Sequence, residues 1–473
     1  MTRPTEHRVQ HALGAMVGSA VGDALGAPFE FQPGGLWSAK FPQAVVGERG
    51  EMRAGGMWAA GEFTDDTQMA LALAESLCEH RQLDPADVWA RWIEWSQDAA
   101  DVGILTQRAL RYDHWEGAAA HAHEENGGKS AGNGGIMRNT PIALFTLDQT
   151  SEAACALAEA QSNLTHLDAD CAIGARLHTL ALRAGINGDN VFEALDDAVR
   201  RIDGAESRAR WAELLSPDWH PDQTTLTNGT VWTCLAQAVW AVRYASSFEA
   251  AVTRAVDLGD DADTVACVAG SIAGAIWGIQ AIPSRWTTYL CGTVGTNDGV
   301  QAYRSSTLQD LTLRLLGRSP SKIAYADTPE GPTAVDDSGR LFAADWGGAR
   351  SAPTDWAVVS ACRTGDDFLE HPIRREIYLI DEYDEAANHN VAAAVLDAVD
   401  SIDALLADHP EQKVLVHCHG GRSRTALILK AWAMRRYSWT EPQAHDWLRE
   451  RWPRAHRENP VFTRFLTEEW LSP

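Results

Sequence analysis

The chain has 473 residues, of which 45% are hydrophobic and 22% charged, and its formal net charge is −25 at pH 7. This length exceeds that of one ordinary domain, and the apolar content is sufficient for packed cores. The negative charge argues against an extended nucleic-acid interface, because a phosphate backbone would be repelled.

The cysteines and the apolar segments indicate the compartment. Eight cysteines are scattered without a CxxC pair, which is typical of reduced thiols, so we expect a cytoplasmic protein. We expect no signal peptide, because glycines and Asp23 interrupt the first apolar stretch. The apolar run 265–282 contains Ser271, Gln280 and three glycines, which favours a buried helix over a membrane span.

Up to about residue 290 the chain is rich in alanine and its pattern favours helices. Two segments carry glycines four residues apart, namely Gly14, Gly18, Gly22 and Gly26, and later Gly270, Gly274 and Gly278. This spacing places a smooth stripe on each helix, along which two backbones can approach closely. We expect the two helices to pack together in an all-α core, although each stripe could pack elsewhere.

Two acidic clusters, separated by almost two hundred residues, each precede an apolar helical segment. They read Thr64-Asp65-Asp66-Thr67 and Asp260-Asp261-Ala262-Asp263-Thr264. Crowded carboxylates need cations to neutralise them, and oxygen ligands suit Mg²⁺, Mn²⁺ or Ca²⁺ rather than zinc. The alternative is helix capping, but a cap needs one such residue and each cluster supplies at least three. The clusters therefore predict a metal site where the two helices meet.

The character of the chain changes between about residues 318 and 352, where Pro, Gly and Ser predict a linker. Short apolar runs at 356–360, 376–380 and 413–416 then suit buried strands. Helical stretches lie near 390–407, 425–436 and 440–451. This alternation predicts a small α/β domain with a parallel sheet. We thus expect an all-α domain at 8–315, a linker at 316–350 and an α/β domain at 351–473.

Five segments of the N-terminal part, in order, resemble the ADP-ribosylglycohydrolase family, which includes the bacterial dinitrogenase-reductase-activating enzymes. They are 18–26 with Glu30, 63–69, 132–138, Thr165-His166 and 260–275. The resemblance implies an all-α fold and hydrolysis of the glycosidic bond between ADP-ribose and a protein side chain or another acceptor. It also implies two Mg²⁺ ions, with Mn²⁺ as a substitute, held by Thr64, Asp65, Asp66, Asp261, Asp263 and Thr264.

The chemistry of such a site needs a group that transfers protons. Cleavage at ribose develops oxocarbenium character, and a carboxyl group must move a proton between water and the leaving group. Metal ions would orient the ribose hydroxyls and lower the pKa of a bound water. Glu30 and Asp101 are both candidates for the proton transfer.

A glycine-rich segment resembles the family's diphosphate cradle, because glycines expose amide groups to phosphate oxygens. By this resemblance the substrate-binding residues are Gly132, Asn133, Gly134, Gly135, Ile136, Met137 and Arg138. Read alone, the segment would be a turn before a helix. His166 matches a family position close to the ligand; its alternative is a cap or a solvated residue.

A strand-like run ends at Cys418, and five residues separate this cysteine from Arg424 ahead of a predicted helix. The run resembles the signature of cysteine-dependent protein phosphatases, most closely the dual-specificity types, over roughly residues 350 to 473. Amides and the helix N-terminus would surround a phosphate and favour a nucleophilic thiolate. Arg424 would hold the phosphoryl group, and Thr425 would assist release of the phosphocysteine. The loop residues expected to contact substrate are His419, Gly420, Gly421, Arg422 and Ser423.

The general acid of such a phosphatase would be an Asp on the acidic run 381–385. We expect Asp384, because it stands closest to the next helix, with Asp381 as the alternative. A solvated acidic loop without a catalytic role is the simpler interpretation. Likewise, Cys418 could be a structural cysteine at a strand end.

These patterns together predict a cytoplasmic hydrolase with two catalytic domains. Its expected partners are an ADP-ribosylated protein or a small ADP-ribose derivative, and a phosphorylated substrate, with no membrane. Two further hypotheses stay open. Both sites could process one phosphorylated ADP-ribose derivative in sequence, or the C-terminal domain could bind phosphate without catalysis and recruit a modified protein.

Overall fold

The computed structural model describes residues 5–296, 299–320, 329–365, 367–408, 410–456 and 459–470. The helices are α1 (Glu6–Gly26), α2 (Leu36–Lys40), α3 (Asp65–His80), α4 (Pro85–Ser96), α5 (Ile104–Ala109), α6 (Ala118–Glu125), α7 (Gly134–Met137), α8 (Thr140–Phe145), α9 (Ser151–Ser162), α10 (Ala169–Asn187), α11 (Val191–Arg200), α12 (Ala205–Leu214), α13 (Val231–Arg243), α14 (Phe248–Val256), α15 (Ala262–Trp277), α16 (Ser284–Thr287), α17 (Ser305–Leu315), α18 (Trp346–Ala349), α19 (Val391–Asp408), α20 (Ser423–Tyr437), α21 (Glu441–Arg451) and α22 (Pro460–Arg464). The strands are β1 (Cys291–Thr296), β2 (Gly299–Arg304), β3 (Thr333–Ala334), β4 (Leu341–Asp345), β5 (Ala357–Ser360), β6 (Arg374–Glu376) and β7 (Val414–Cys418). Short 3₁₀ helices lie at Ala27–Phe29, Pro221–Gln223, Ile279–Ala281 and Glu385–Asn388, and a π-helical turn at Phe465–Glu469.

The chain forms two compact units. The helical unit comprises Met1–Gln43, Met52–Ile282 and Tyr289–Pro320, and it includes the antiparallel pair β1 and β2. The α/β unit comprises Ala44–Glu51, Pro283–Thr288 and Ser321–Pro473. A helical part followed by a small α/β part is the architecture predicted from the sequence.

The core of the helical unit is an antiparallel pair of helices, α1 and α15, which carry the two glycine stripes. A methyl group added at Gly14 would overlap the backbone of Gly274, and one added at Gly26 would overlap the backbone of Asp263. Only glycine permits backbones this close. The predicted packing of the two stripes is confirmed, and it places the end of α1 beside the start of α15.

Helix α1 is almost completely buried. Together with the 3₁₀ turn that follows, it is long and apolar enough to cross a membrane by length and composition. However, 94% of its most apolar window is buried inside the fold, which is typical of the central helix of a helical core. The apolar character of α1 is therefore explained by its packing.

The α/β unit is built on a five-stranded sheet in the order β3-β4-β7-β5-β6. β3 runs antiparallel to β4, and the other neighbouring strands run parallel. The central strand β7 is fully buried, and helices α19, α20 and α21 contribute to the same core. The last residue of β7, Cys418, pairs with Asp345 of β4, so Cys418 lies at the carboxyl edge of the sheet, where α/β proteins bind ligands.

Part of the predicted linker 316–350 belongs to this sheet. The range 316–350 contains the strands β3 and β4 and the short helix α18. Within β4, Leu341, Ala343 and Ala344 are fully buried. The glycines and prolines on either side obscured this apolar run in the sequence. Residues 321–328 of the predicted linker lie outside the described residues. The strand expected at 376–380 is instead β6, which ends at Glu376.

Two segments from earlier in the chain complete the α/β unit. Glu51 accepts a hydrogen bond from Arg285 Nε over 2.9 Å, and both residues are buried. Arg375 of β6 donates to the carbonyl oxygen of Val46 over 2.8 Å. The α/β unit thus includes residues outside the expected boundary of 351–473.

Candidate active sites

The acidic clusters stand at the N-termini of α3 and α15 without capping them. Thr64 and Asp261 occupy the two N-cap positions, and neither side chain makes a capping hydrogen bond. Asp65, Asp66 and Asp263 lie in the first turns and are buried. Capping therefore does not account for these carboxylates.

The carboxylates form two overlapping groups, and within each group one oxygen from every residue lies within 4.8 Å of the others. One group consists of Asp23, Asp66 and Asp263, and the other of Glu30, Asp261 and Asp263. Burial and the adjacent carboxylates of Asp23 and Asp65 raise the pKa of Asp66 well above its ordinary value. Burial and nearby carboxylates likewise raise the pKa of Asp263. A site that must hold this much negative charge in a buried position needs a cation.

The donor set fits a hard metal ion. Asp66 Oδ1 is buried and has no hydrogen-bond partner among the described residues. Its other oxygen accepts from the hydroxyls of Thr64, over 3.2 Å, and Thr264, over 3.3 Å. Asp65 lies beside the group and accepts from the Gly103 amide over 3.4 Å. All six residues expected as ligands are thus brought to one place, although from two distant segments.

Sequence reasoning missed three residues that shape this site. Asp23 of α1 accepts from the amides of Thr64 and Thr67, and so holds the turn that begins α3. Asn228 accepts from the Asp261 amide over 2.9 Å, and Thr227 donates to Asp260 over 2.7 Å. The signal for Asp23 was a charged residue inside an apolar helix; Asn228 and Thr227 gave none.

Glu30 and Asp101 were the two candidates for proton transfer. Burial, followed by the charges of Asp101 and Asp261, raises the pKa of Glu30 to about 8. A carboxyl group with this pKa holds a proton at neutral pH and can act as a general acid. Asp101 lies close enough to contribute to that shift.

The glycine-rich segment packs beneath His166. A methyl group at Gly132 or Gly134 would crowd the imidazole ring, and one at Gly135 would overlap the Ser162 hydroxyl. His166 Nδ1 is hydrogen-bonded to Thr165 over 2.7 Å. Burial, then the charge of Arg138, lowers the pKa of His166 to about 3, so the ring is neutral.

Residues 133–138 of the expected cradle are buried, and three of their side chains pack into the core. Arg138 is fully buried, and its guanidinium donates to Gln161 and Thr165 and lies 4.1 Å from the ring centre of Trp92. Ile136 and Met137 are also buried, because α7 directs their side chains into the core. The expectation that these three side chains contact the substrate directly is therefore corrected. Asn133 instead donates to Asp261 over 2.8 Å and links the segment to the acidic cluster.

The second site lies on the loop between β7 and α20. Gly421 has a φ of +63°, and a methyl group there would meet Ala344 and Asp345 of β4. Its carbonyl oxygen accepts from the indole of Trp452 over 2.6 Å. The turn after Cys418 is therefore fixed by the backbone, as a phosphate-binding loop requires.

Arg424 is oriented by two acceptors. It donates to the carbonyl oxygen of Leu379 and to Nδ1 of His419, each over 3.1 Å. Burial, then the charge of Arg424, lowers the pKa of His419 to about 4, which keeps the imidazole neutral and able to accept. His419 thus positions Arg424. The neighbouring His417 is fully buried and hydrogen-bonded to Ser360 over 2.7 Å, a structural position.

A pocket of about 350 Å³ brings the nucleophile, the arginine and an acid together. Its lining residues are Asp381, Glu382, Tyr383, Cys418, Gly420, Arg422, Ser423, Arg424, His456 and Asn459. Thr425 is fully buried and lies outside this lining, whereas the hydroxyl-bearing residues Ser423 and Tyr383 belong to it.

The pocket contains Asp381 and not the expected Asp384. Asp384 is exposed and accepts from the Ala386 amide over 3.0 Å, which caps a 3₁₀ helix. Asp381 accepts from Ser423 over 2.8 Å and from Asn459 over 3.0 Å. The choice of Asp384 is corrected accordingly. Proximity to a helix was the wrong criterion, since Asn459 reaches this loop from 78 residues away.

Residues 4–322 match the family described as ADP-ribosylglycohydrolase, and residues 362–469 match the dual specificity phosphatase catalytic domain. The chain belongs to the ADP-ribosylglycohydrolase family. An ADP-ribosylarginine hydrolase Tri1 of Pseudomonas putida (strain GB-1) is 33% identical over 60% of this chain and 75% of its own length. An ADP-ribosyl-(dinitrogen reductase) glycohydrolase of Rhodospirillum rubrum is 32% identical over 61% of this chain and 92% of its own. A solved structure described as an ADP-ribosylglycohydrolase-related protein complex covers 66% of this chain and 99% of its own, with 32% identity and a TM-score of 0.53.

The predicted families and enzyme class are confirmed by these matches. The chain is a hydrolase that combines an ADP-ribosylglycohydrolase domain with a dual specificity phosphatase catalytic domain. Members of the first family are metal-dependent, in agreement with the acidic cluster. The names of these relatives place ADP-ribose on an arginine side chain and on dinitrogen reductase as their substrates.

Proposed function

We propose that the helical unit hydrolyses the N-glycosidic bond between ADP-ribose and an arginine side chain of a protein, with two Mg²⁺ ions that Mn²⁺ can replace. The observation that carries the metal requirement is the buried, unpartnered Oδ1 of Asp66 within the carboxylate cluster. The arginine linkage is supported by relatives named ADP-ribosylarginine hydrolase at 33% and 30% identity.

In this proposal, different residues bind the metal ions and transfer the proton. Asp65, Asp66, Asp261 and Asp263 would hold the ions, which supply positive charge to orient ribose hydroxyls and acidify a water. Glu30 donates a proton to the leaving guanidino nitrogen as the bond from that nitrogen to the anomeric carbon breaks. The water oxygen then bonds to that carbon, and its proton returns to the Glu30 carboxylate. Asp101, the alternative acid, lies near enough to Glu30 for its charge to raise the pKa of Glu30.

The test of this function is release of ADP-ribose from a protein modified on arginine. We expect turnover that stops in EDTA and returns on addition of Mg²⁺ or Mn²⁺. Full turnover by the metal-stripped enzyme would refute the metal-dependent reaction, and turnover of serine-linked but not arginine-linked substrates would refute the linkage.

We also propose that the α/β unit hydrolyses phosphomonoesters through a phosphocysteine. Cys418, Arg424 and Asp381 line one pocket. The Cys418 thiolate attacks phosphorus while Asp381 protonates the leaving oxygen, so that a P–S bond forms and the P–O bond breaks. Water then attacks phosphorus, gives its proton to Asp381 and releases phosphate and the thiolate. Arg424 stabilises the equatorial oxygens throughout.

A phosphate-binding recruitment module is the competing hypothesis for this unit. Arg424→Ala should abolish both turnover and phosphate binding, since the guanidinium serves both. If the wild-type chain binds aryl, peptide and nucleotide phosphates but turns none of them over, recruitment is the function.

A further proposal is that both sites act in sequence on one phosphorylated ADP-ribose derivative. The presence of both sites on one chain supports it, because each site then has a raised local concentration near the other's product. The test gives a doubly modified substrate to the intact chain and to a mixture of two variants, each inactive at one site. Equal rates and equal free intermediate in both samples would count against sequential action.

We also propose a cytoplasmic location, supported by eight free cysteines.

A further inference from the structure

A second cleft of the helical unit lies between α4 and the segment 113–116. Its volume is about 380 Å³, and its lining includes none of the residues assigned above to the acidic cluster or the glycine-rich segment. Trp89 Nε1 donates to the carbonyl oxygen of Tyr112 over 3.1 Å, which ties α4 to this segment. The two walls of the cleft are therefore held in place.

The walls are aromatic and apolar. Trp89, Ile93 and Trp115 line the cleft; Trp89 is buried, while Ile93 and Trp115 remain partly exposed. Indole rings attract cations that lie near them, because the ring carries partial negative charge on its faces. Guanidinium groups and alkylated ammonium groups suit such surfaces best, since they are weakly hydrated.

Three acids line the cleft, Glu94, Asp113 and Glu116, and His114 is the basic side chain among them. Glu94 Oε1 is buried and has no hydrogen-bond partner among the described residues. Asp113 and Glu116 are exposed on the opposite wall. Among the described residues that line the cleft there is no lysine or arginine to neutralise these acids. Glu94 as a whole is half-buried and lines the cleft, so a cation bound there would lie close to its carboxylate and be attracted by all three acids.

We propose that this cleft binds a cationic group, either a guanidinium or an alkylated ammonium, with its charge against Glu94 and its apolar part beside Trp89 and Trp115. The group could belong to a polypeptide or to a free small cation. The site goes beyond the proposed hydrolysis, because it involves neither the acidic cluster nor the phosphatase loop.

The experiment titrates the full chain with N-acetyl-arginine methylamide and with its neutral citrulline analogue, using calorimetry. We expect saturable binding of the arginine compound, and binding about tenfold weaker or absent for the citrulline analogue. Glu94→Gln should weaken arginine binding by about tenfold. Glu213→Gln, an exposed acid in the last turn of another helix, is the matched control and should leave it unchanged. Binding at the acidic cluster would not respond to either variant, which separates this site from the proposed function.

A peptide with one central arginine identifies the source of the cation. Tighter binding of the peptide than of the amide supports a polypeptide ligand, and equal binding supports a small cation. If Glu94→Gln fails to fold, Trp115→Ala serves as the second variant and should show the same loss. Equal binding by wild type and Glu94→Gln, equal binding of citrulline, or no saturation up to about 50 mM would overturn the site.

Discussion

Replacing Asp381 by Asn tests which carboxylate protonates the leaving group at the Cys418 site. Asn has nearly the same shape, and its amide oxygen can still accept from Ser423 and Asn459, which bind Asp381 over 2.8 and 3.0 Å. The loop should therefore keep its position while the proton is lost. The change removes the two proton transfers assigned to Asp381, to the leaving oxygen and later from the attacking water, and little else.

The expected magnitude depends on the leaving group. General acid catalysis contributes about 10²–10⁴-fold, so kcat for phenyl phosphate should fall by about 10²–10³-fold, equivalent to about 3–4 kcal/mol in the activation barrier. An activated ester such as p-nitrophenyl phosphate needs little protonation, because its phenolate is stable. Its kcat/KM, which reports only the steps up to formation of the phosphocysteine, should fall by less than about tenfold.

Asp384→Asn is the matched control on the same loop. Asp384 caps a 3₁₀ helix and lies outside the lining of the Cys418 pocket, so its replacement should cost at most about 1 kcal/mol of stability and leave kcat unchanged. The assay is release of inorganic phosphate from both esters by the full chain. If Asp384→Asn lowers kcat for phenyl phosphate as much as Asp381→Asn does, or if Asp381→Asn has no effect, the assignment is wrong.

The remaining predictions concern the metal site, the helix pair and the nucleophile. Asp66→Asn should reduce ADP-ribose release at least about 10³-fold and leave phosphatase activity intact, because it removes a carboxylate that would hold the ions; a loss under tenfold would contradict this. In EDTA, Tm should fall as pH rises from about 5 to 8. The pKa of Glu30 is raised to about 8 in the folded chain, so folding favours its protonated form. The stability that this form contributes is fully present at low pH and is lost as the pH rises towards the folded pKa. Mg²⁺ should reduce the fall, whereas a Tm that rises over this range would refute the interpretation. Gly22→Ala should destabilise the helical unit by about 1–3 kcal/mol or prevent folding, because its methyl group would overlap Ala266; Gly103→Ala, which meets nothing within 4 Å, should change stability by less than about 0.5 kcal/mol in urea unfolding. Cys418→Ser should abolish phosphate release yet retain oxyanion binding, and residual turnover above about 1% would argue against a phosphocysteine.

Features with a local physical cause could be predicted from the order of the residues. Glycines four residues apart place a smooth stripe on one helix face, so the close pairing of α1 and α15 could be expected from the spacing, and the structure confirms it. Two carboxylate clusters at helix starts indicated a cation, because no cap needs so many acids. A cysteine and an arginine separated by five residues after an apolar run indicated a phosphate loop at the end of a strand.

Features that depend on contacts between distant segments could be seen only in the folded chain. Asp381 rather than Asp384 lies in the Cys418 pocket because Asn459, far along the chain, holds it there. Arg138 lies in the core because Gln161 and Thr165 satisfy its guanidinium. Neighbouring residues in the sequence do not reveal the partners that favour Asp381 over Asp384. Nor do they reveal the partners that allow the charged Arg138 to be buried. These partners are fixed only when the helices and the sheet have packed.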